Sequence, residues 1–320
     1  MTPPATLPIT AAHRLDQRQA DQAWLVDALW ADEAVGILGG EPKCCKSLFA
    51  LHLALAIASG QPLLGRYAVP RPGPVLFFAA EDAEHIVGDR IRRIAAGINL
   101  DLAAVPLAFI TTPSLRLDAS DDIAALDATL ALRRPRLLVL DPFVRLHRKD
   151  ENQSGDIAPI LASLRGMQRR YHTAVLVVHH ARKGGGSRAG QALRGSSEFH
   201  AWGDCNLFLR WRNQRLTLSG EHRAAPPLDD LPLALEQSDT HLQLRIIDPS
   251  VGAAHSTADP GCERIIAALR KATGPLTRSR LRTTVGMRNA TLGHLLEDLC
   301  QQGRIDRQAD GYRLIGEEAA

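Results

Sequence analysis

The feature that most constrains the fold is an apolar run that stops at two glycines and is followed by a polar loop and a helical segment. Residues 34–38 are apolar and end at Gly39-Gly40, which is typical of a buried strand. Residues 46–59 carry apolar side chains at helical spacing, and Gly60 follows at the position of a C-terminal cap. A strand, a loop and a helix in this order predict the first unit of a parallel α/β sheet.

The loop of this unit, residues 40–47, reads Gly-Glu-Pro-Lys-Cys-Cys-Lys-Ser and nearly matches the phosphate-binding pattern G-x-x-x-x-G-K-[ST]. Backbone N–H groups of the loop and of the helix N-terminus are expected to face the phosphates. Lys46 would neutralise the β- and γ-phosphates, and the Ser47 hydroxyl would coordinate Mg²⁺. Cys45 replaces the second glycine, so its Cβ is expected to narrow the loop or restrict its φ. The alternative is a chance match in a loop. The predicted ATP-binding residues are Gly40, Glu41, Pro42, Lys43, Cys44, Cys45, Lys46, Ser47 and Leu48.

Further along the chain, apolar runs alternate with helical segments. The runs are residues 75–80, 107–110, 136–140 and 173–178. Because these runs are apolar on both faces, they predict a mostly parallel sheet covered by helices on both sides. Two more strand-like runs follow at residues 206–211 and 215–218, whereas residues 223–239, rich in Pro, Ala and acids, are expected to form a peripheral excursion.

Three polar residues lie at the ends of these runs: Glu81, Asp141 and His179. Ligands of parallel sheets bind outside the carboxyl ends of the strands, where these residues are expected to meet. Glu81 would polarise water for attack on the γ-phosphate, Asp141 would hold Mg²⁺ through water, and His179 would sense the γ-phosphate. The alternatives are Asp82 in place of Glu81, a turn-capping role for Asp141 and a purely structural His179.

A basic stretch begins before the last of these strands and continues beyond it. Residues 157–197 contain seven Lys or Arg and no Asp or Glu. Within it, a glycine-rich loop offers four cations that suit nucleic-acid phosphates: Arg182, Lys183, Arg188 and Arg194. The alternative is a disordered surface loop. Arg212 ends a later strand, where it would serve a neighbouring subunit's ATP or be one of a surface pair.

Composition excludes several other classes of protein. The net charge is only +3, and the five cysteines have no metal-ligand spacing and an odd count, which favours a reducing cytoplasm over a disulfide framework. No stretch approaches the about 20 apolar residues of a membrane span, so no membrane partner is expected. Residues 1–10 are Pro-rich and lack the pattern of a signal peptide, and residues 1–20 are expected to be a disordered lead-in.

Several segments together resemble the RecA/DnaB superfamily of ring-forming motors, and within it the RepA-like hexameric helicases of plasmids and the related AAA-type ATPases of phages and mobile elements. The segments are Gly-Glu-Pro-Lys-Cys-Cys-Lys-Ser at 40–47, Ala-Glu-Asp at 80–82, Leu-Asp-Pro at 140–142, His-His-Ala-Arg-Lys at 179–183 and Arg-Gly-Ser-Ser at 194–197. The likeness covers about residues 24–212. It implies a RecA-like P-loop NTPase core, ATP-driven movement on single-stranded DNA with Mg²⁺, and sites shared between the subunits of a hexameric homo-oligomer.

The resemblance also carries over to individual residues. Lys46, Ser47, Glu81, Asp141 and His179 match the family's functional positions, and the basic loop lies where the family places its DNA-contacting loop. Arg212 is similar to the arginine finger of DnaB-type proteins, but the finger of RepA-type proteins does not align with an arginine here.

The chain is expected to divide into an ATPase domain over residues 21–248, a linker over residues 249–259 and a small domain over residues 260–316. Three helical segments and a hairpin with an Asp-Gly turn make the small domain similar to a winged helix. Arg288 and Asn289 would open its recognition helix, and Arg307 and Arg313 would lie on its wing. Protein docking is the alternative to DNA binding for this domain.

The leading hypothesis is therefore a DNA-dependent ATPase of the α/β class, acting as a replicative helicase of a mobile element. The alternative from another class is a DNA-binding regulator that uses ATP as a switch with little or no turnover. Cys45 and the unassigned arginine finger keep this alternative open.

Overall fold

The computed structural model describes residues 9–14, 24–180, 198–212, 215–247, 260–272, 274–287, 292–293, 295–296, 299–300, 303–308 and 310–315. The chain divides into two compact units, Met1–Ile247 and Asp248–Ala320. Of the predicted lead-in, Ala12–Arg14 form a 3-10 turn without buried residues, and most of the remainder lies outside the described residues.

The first unit alternates strands and helices over most of its length. Its strands are β1 (Trp24–Val26), β2 (Trp30–Ala31), β3 (Val35–Gly40), β4 (Val75–Ala79), β5 (Leu107–Phe109), β6 (Leu137–Asp141), β7 (Ala174–His180), β8 (Cys205–Arg212), β9 (Arg215–His222), β10 (Leu228–Gln237) and β11 (Leu242–Ile246). Its α-helices are α1 (Lys46–Ser59), α2 (Glu84–Gly97), α3 (Ser120–Arg133), α4 (Ser154–Tyr171) and α5 (Glu198–Trp202). Short 3-10 turns span Leu102–Ala104 and Phe143–Arg145.

Nine of these strands form one sheet in the order β11-β10-β9-β8-β3-β7-β6-β4-β5. The pairs from β5 to β8 are parallel, and β8 to β11 pair antiparallel. The predicted α/β fold with a mostly parallel sheet is therefore confirmed.

The two faces of the sheet bury separate apolar clusters. On one face, Leu38 and Val178 pack with side chains of α1 and α2. On the other face, Ile37 and Val177 pack with side chains of α3, α4 and α5. Neighbouring residues of one strand thus enter opposite clusters, as the period of two in a strand requires. This alternation decides which polar residues reach the functional site.

Gly36 shows how closely β3 and β8 approach. A Cβ at this position would lie 1.6 Å from the backbone oxygen of Cys205 and 3.0 Å from the ring of Trp30. Only glycine therefore fits at position 36. Its missing side chain lets β3, the strand before the phosphate loop, pair closely with β8.

The expectation of a peripheral excursion over residues 223–239 is wrong for most of that segment. Residues 228–237 form β10, which pairs with both β9 and β11. Leu231 and Leu233 are buried at alternate positions, the signature of a half-buried strand, although Pro232 and the acids around it weaken that signal. Long-range pairing with β9 and β11 thus overrides the poor local propensity.

His52 on α1 makes folding stability depend on pH. The side chain is buried, its Nε2 accepts a hydrogen bond from the Leu244 backbone N at 3.4 Å, and burial lowers its pKa to about 4. In the unfolded chain the pKa is about 6.5, so the unfolded state binds the extra proton as pH falls. We expect the stability that the neutral ring supports to be present above pH 6.5 and to be lost between pH 6.5 and pH 4, by about 3 kcal/mol.

Urea unfolding of the wild type and of His52→Leu at pH 7.5, 6 and 5 would measure this dependence. The variant is expected to be less stable at pH 7.5 because the Leu244 N–H loses its acceptor, but its stability should fall less steeply with acid. His85→Leu, at an exposed position of α2, is the control. Equal slopes for the wild type and His52→Leu would contradict the prediction.

The second unit combines helices and a hairpin around its own core. Its elements are α6 (Pro260–Arg270), α7 (Arg278–Val285), β12 (Ile305–Gln308) and β13 (Gly311–Leu314). The described residues at 292–293, 295–296 and 299–300 are also helical. The buried side chains of Leu292, Leu295, Leu296 and Leu299 pack with those of α6 and α7.

Candidate active site

The phosphate loop joins β3 to α1 and bends around the side chain of Lys46. This side chain is buried, and its Nζ donates to the backbone oxygens of Gly40 at 3.0 Å and Glu41 at 2.7 Å. Gly40 has no room for a side chain, because a Cβ there would lie 2.3 Å from the Leu209 oxygen and 2.6 Å from the Cys44 Sγ. The loop thus holds one ammonium group at its centre, beside the N-terminus of α1.

Cys45 stands where the fold requires a left-handed backbone. It precedes α1 with φ 64° and ψ 22°, a conformation that glycine adopts freely and that a residue with a Cβ adopts at a cost of about 1–2 kcal/mol. Its thiol and that of Cys44 both have a pKa raised by burial, so neither adds a negative charge beside the phosphates at neutral pH. The substitution therefore acts through the backbone and the size of the side chain.

We expect Cys45→Gly to bind ATP several-fold more tightly than the wild type, because glycine removes the Cβ from the loop and lets the backbone adjust to the phosphates. Cys45→Ala is the matched control, since it removes the thiol and keeps the Cβ. Isothermal titration with ATP and Mg²⁺ would compare the three proteins. An equal gain in affinity for Cys45→Ala would assign the effect to the thiol and would contradict the backbone explanation.

Asp141 ends β6 opposite the start of α1. Its carboxylate is buried and accepts a hydrogen bond from the Ser47 hydroxyl. Burial raises the pKa of Asp141 to about 6, and the charges of Asp82 and Glu81 act in the same direction, whereas the Ser47 hydrogen bond and Lys46 oppose them. The carboxylate is thus mostly ionised at neutral pH, at a cost to the fold that a bound cation would offset.

Glu81 and Asp82 follow β4 at the same edge of the sheet. Glu81 is half-exposed, and its Oε1 accepts from the Arg145 Nη2 at 2.9 Å. Asp82 pairs with Arg90 of α2. Each carboxylate is therefore held in place by an arginine.

A cleft of about 380 Å³ joins these parts. Its walls include the phosphate loop from Lys43 to Leu48, the acids Glu81, Asp82 and Asp141, and also Arg90, Pro142, Val178, His180, Leu235, Gln237 and Leu242. Eight of the predicted residues thus surround one space that is large enough for a small-molecule ligand, namely Lys43, Cys44, Cys45, Lys46, Ser47, Leu48, Glu81 and Asp141.

The structure does not bring His179 to this cleft. Its side chain is buried on the opposite face of the sheet, where its ring stacks on Phe199 with centroids 4.3 Å apart and its Nδ1 lies 3.6 Å from the Glu151 Oε1. His180, the next residue of β7, lines the cleft instead. The expectation for His179 is corrected because strand residues alternate between faces, and Val178 and His180 share the face of α1.

The other predicted cations of the first unit lie at the margin of the described residues or outside them. Arg212 is the last residue of β8, and its backbone pairs with Arg215 of β9. Arg182, Lys183, Arg188 and Arg194 lie outside the described residues, as do Arg288 and Asn289.

The residues around Ser47 fit the predicted Mg²⁺ ion. Ser47 and Asp141 offer adjacent oxygen donors, which are the ligands that this ion prefers, and the pair lies beside the loop that is expected to bind phosphate oxygens. Within the described ranges, no group of three or more His, Cys, Asp or Glu side chains is arranged to hold a metal. The chemistry of these donors therefore suits an ion that arrives with a phosphate ligand.

Among the described residues, no helix has both the length and the apolar character that crossing a membrane demands.

Comparison with known proteins agrees with this geometry. A family model described as "AAA domain" matches residues 2–186, which is more than half of the chain. A solved structure entitled "The Structure Of A DnaB-Like Replicative Helicase And Its Interactions With Primase" matches with a TM-score of 0.52 and 14% sequence identity, over 66% of this chain and 57% of that chain. At this identity the match shows the fold, which is RecA-like. The range that the family model matches includes the phosphate loop, Glu81 and Asp141. This chain belongs to the AAA domain family.

Proposed function

We propose that this protein hydrolyses ATP to drive movement along single-stranded DNA, as a replicative DNA helicase of a plasmid, phage or other mobile element. The observation that carries the proposal is the meeting of Lys46, Ser47, Glu81 and Asp141 in one cleft at the carboxyl edge of the sheet. One cation, a metal-binding pair and a separate carboxylate are the parts that phosphoryl transfer to water requires.

Each part has a distinct task in the proposed reaction. Lys46 binds the β- and γ-phosphates and stabilises the negative charge of the transition state, and Ser47 and Asp141 would hold Mg²⁺. When bound, Mg²⁺ would supply further neutralisation of the phosphate oxygens. Glu81 orients the attacking water and accepts its proton as the bond from the γ-phosphorus to the ADP oxygen breaks. Arg145 would orient the Glu81 carboxylate through its hydrogen bond to Oε1.

The nucleic-acid part of the proposal has three supports. The chain belongs to the AAA domain family, its fold is similar to that of a protein whose title names it a DnaB-like replicative helicase, and four cations follow β7 in the sequence. Arg182, Lys183, Arg188 and Arg194 would bind DNA phosphates. Arg212 would reach the ATP of a neighbouring subunit in a hexameric ring, and the second unit would act as a winged helix with Arg307 and Arg313 on its hairpin.

Steady-state ATP hydrolysis with and without single-stranded DNA tests the proposal, with Lys46→Ala as the background. We expect DNA to stimulate hydrolysis by the wild type and not by the variant, and a forked duplex to be unwound only with ATP and Mg²⁺. A rate of ATP hydrolysis that does not change with DNA, together with a forked duplex that stays paired, would exclude a motor.

The left-handed conformation of Cys45 favours one alternative, an ATP-switched DNA-binding regulator with little turnover. A loop with an added Cβ can hold a nucleotide in a geometry that is poor for transfer. Tight ATP binding without measurable hydrolysis, combined with sequence-specific binding of duplex DNA, would support this alternative against the motor.

A further inference from the structure

We propose that Trp211, Leu235 and Leu242 form an apolar platform that binds the heteroaromatic base of the nucleoside triphosphate. This inference rests on the proposed function for the identity of the phosphate site, and it adds the part of the site that receives the base. The three residues, called the base platform below, come from three different strands, β8, β10 and β11.

The register of the sheet places the base platform on the side of the phosphate loop. Trp211 pairs with Leu216, and Leu216 pairs with Leu233. Leu216 and Leu233 are buried in the cluster that contains α1, and directly paired residues of antiparallel strands point to the same face. Trp211 therefore faces the side of the sheet on which α1 and the phosphate loop lie.

Leu235 and Leu242 reach the same side by the period of two. Leu235 follows Leu233 by two residues, and Leu242 precedes Leu244, which pairs with Leu235. Both Leu235 and Leu242 line the cleft with the phosphate loop. The lining of the cleft thus combines acids from β4 and β6 with apolar side chains from β10 and β11.

Trp211 also contacts the loop directly. Its indole Nε1 donates a long hydrogen bond of 3.4 Å to the backbone oxygen of Lys43, which lines the cleft. The side chain is nevertheless 46% exposed, and Leu235 is 39% exposed. Large apolar side chains that stay open to water beside a polar loop are typical of a surface that a ligand covers.

A nucleobase is the occupant that these contacts select. With the phosphates in the loop, the ribose and base must lie against other residues that line the cleft. Among these, Glu81, Asp82 and Asp141 are acidic, whereas Leu48, Leu235 and Leu242 are apolar. A base has apolar faces, so it is expected against the apolar side chains, with the exposed indole of Trp211 available for stacking.

The test separates binding of the base from binding of the phosphates. Isothermal titration of the full chain with ATP and with inorganic tripolyphosphate, both with Mg²⁺, would be carried out for the wild type, Trp211→Ala and Trp211→Phe. We expect Trp211→Ala to weaken ATP binding about tenfold or more, from the range measured for base stacking on aromatic side chains, and to leave tripolyphosphate binding unchanged. Trp211→Phe keeps a ring and should retain most of the affinity for ATP. Leu132→Ala changes an apolar side chain on α3 that is 80% exposed, and serves as the control.

Two results would overturn the inference. Unchanged ATP affinity in Trp211→Ala means that the indole does not contact the base. An equal loss for ATP and tripolyphosphate means that Trp211 only supports the loop through Lys43. Because the test measures binding, a wild type that binds ATP but does not hydrolyse it would refute the motor and leave the base platform standing.

Discussion

Lys46→Ala is expected to lower kcat/KM for ATP hydrolysis by about a thousandfold or more, because it removes the one ammonium group that the phosphate loop encloses. The side chain is 5% exposed and its Nζ donates to the Gly40 and Glu41 carbonyl oxygens, so its charge lies at a fixed place in the loop. Malachite-green phosphate release would measure turnover, and titration with ATP would measure binding.

A matched lysine shows whether the loss is specific. Lys149 is half-exposed and lies 4.0 Å from Asp156 in a surface ion pair, away from the cleft. Lys149→Ala removes the same charge and should leave turnover and stability nearly unchanged, as exposed ion pairs contribute little. Turnover by Lys46→Ala within tenfold of the wild type would show that the loop is not the catalytic phosphate site.

The parts of the site that are continuous in sequence could be predicted from sequence. Residues 34–59 show a strand, a phosphate loop and a helix through signals that lie within one or two turns of each other, and the structure has β3 and α1 at those places. The strand ends before Glu81 and Asp141 were visible in the same way, because each apolar run stops at its first polar residue.

The side of the sheet that a strand residue faces could not be predicted from the sequence. His179 and His180 are adjacent and chemically identical, and only the parallel register of β3 and β7 places His180 beside the loop. The period of two in a strand is the signal that identifies His180 once the face of Val178 is known. His180 lies two residues after Val178, which packs with Leu38 and α1.

The base platform lay beyond sequence reasoning for a related physical reason. It requires antiparallel pairing of β8, β9, β10 and β11, and Pro232 with its acidic neighbours hides the strand that carries Leu235.

Cys45 is intermediate between these cases. The pattern shows that a glycine is missing, but the cost depends on a positive φ that only the folded loop determines.

Asp141→Asn is expected to abolish turnover and at the same time to stabilise the nucleotide-free protein. Burial raises the pKa of Asp141 to about 6, so the folded state holds this proton more tightly than the unfolded chain, in which the pKa is near 3.9. Stability is therefore highest below pH 4 for this group and falls as pH rises from about 4 to about 6, by about 3 kcal/mol in total. An amide carries no charge, still accepts from Ser47, and cannot replace the carboxylate at Mg²⁺.

The pH dependence makes this prediction distinctive. At pH 7.5 and without nucleotide, the free energy of unfolding of Asp141→Asn should exceed that of the wild type by about 1–3 kcal/mol, and the gap should close near pH 4. Added ATP and Mg²⁺ should raise the melting temperature of the wild type more than that of the variant, since binding to the folded state alone stabilises it.

Asp89→Asn, at an exposed position 3.5 Å from Arg93, should change stability by less than about 0.5 kcal/mol at any pH. A variant less stable than the wild type at pH 7.5 would mean that Ser47 and Lys46 outweigh burial, and that the Asp141 carboxylate holds the nucleotide-free cleft together rather than straining it.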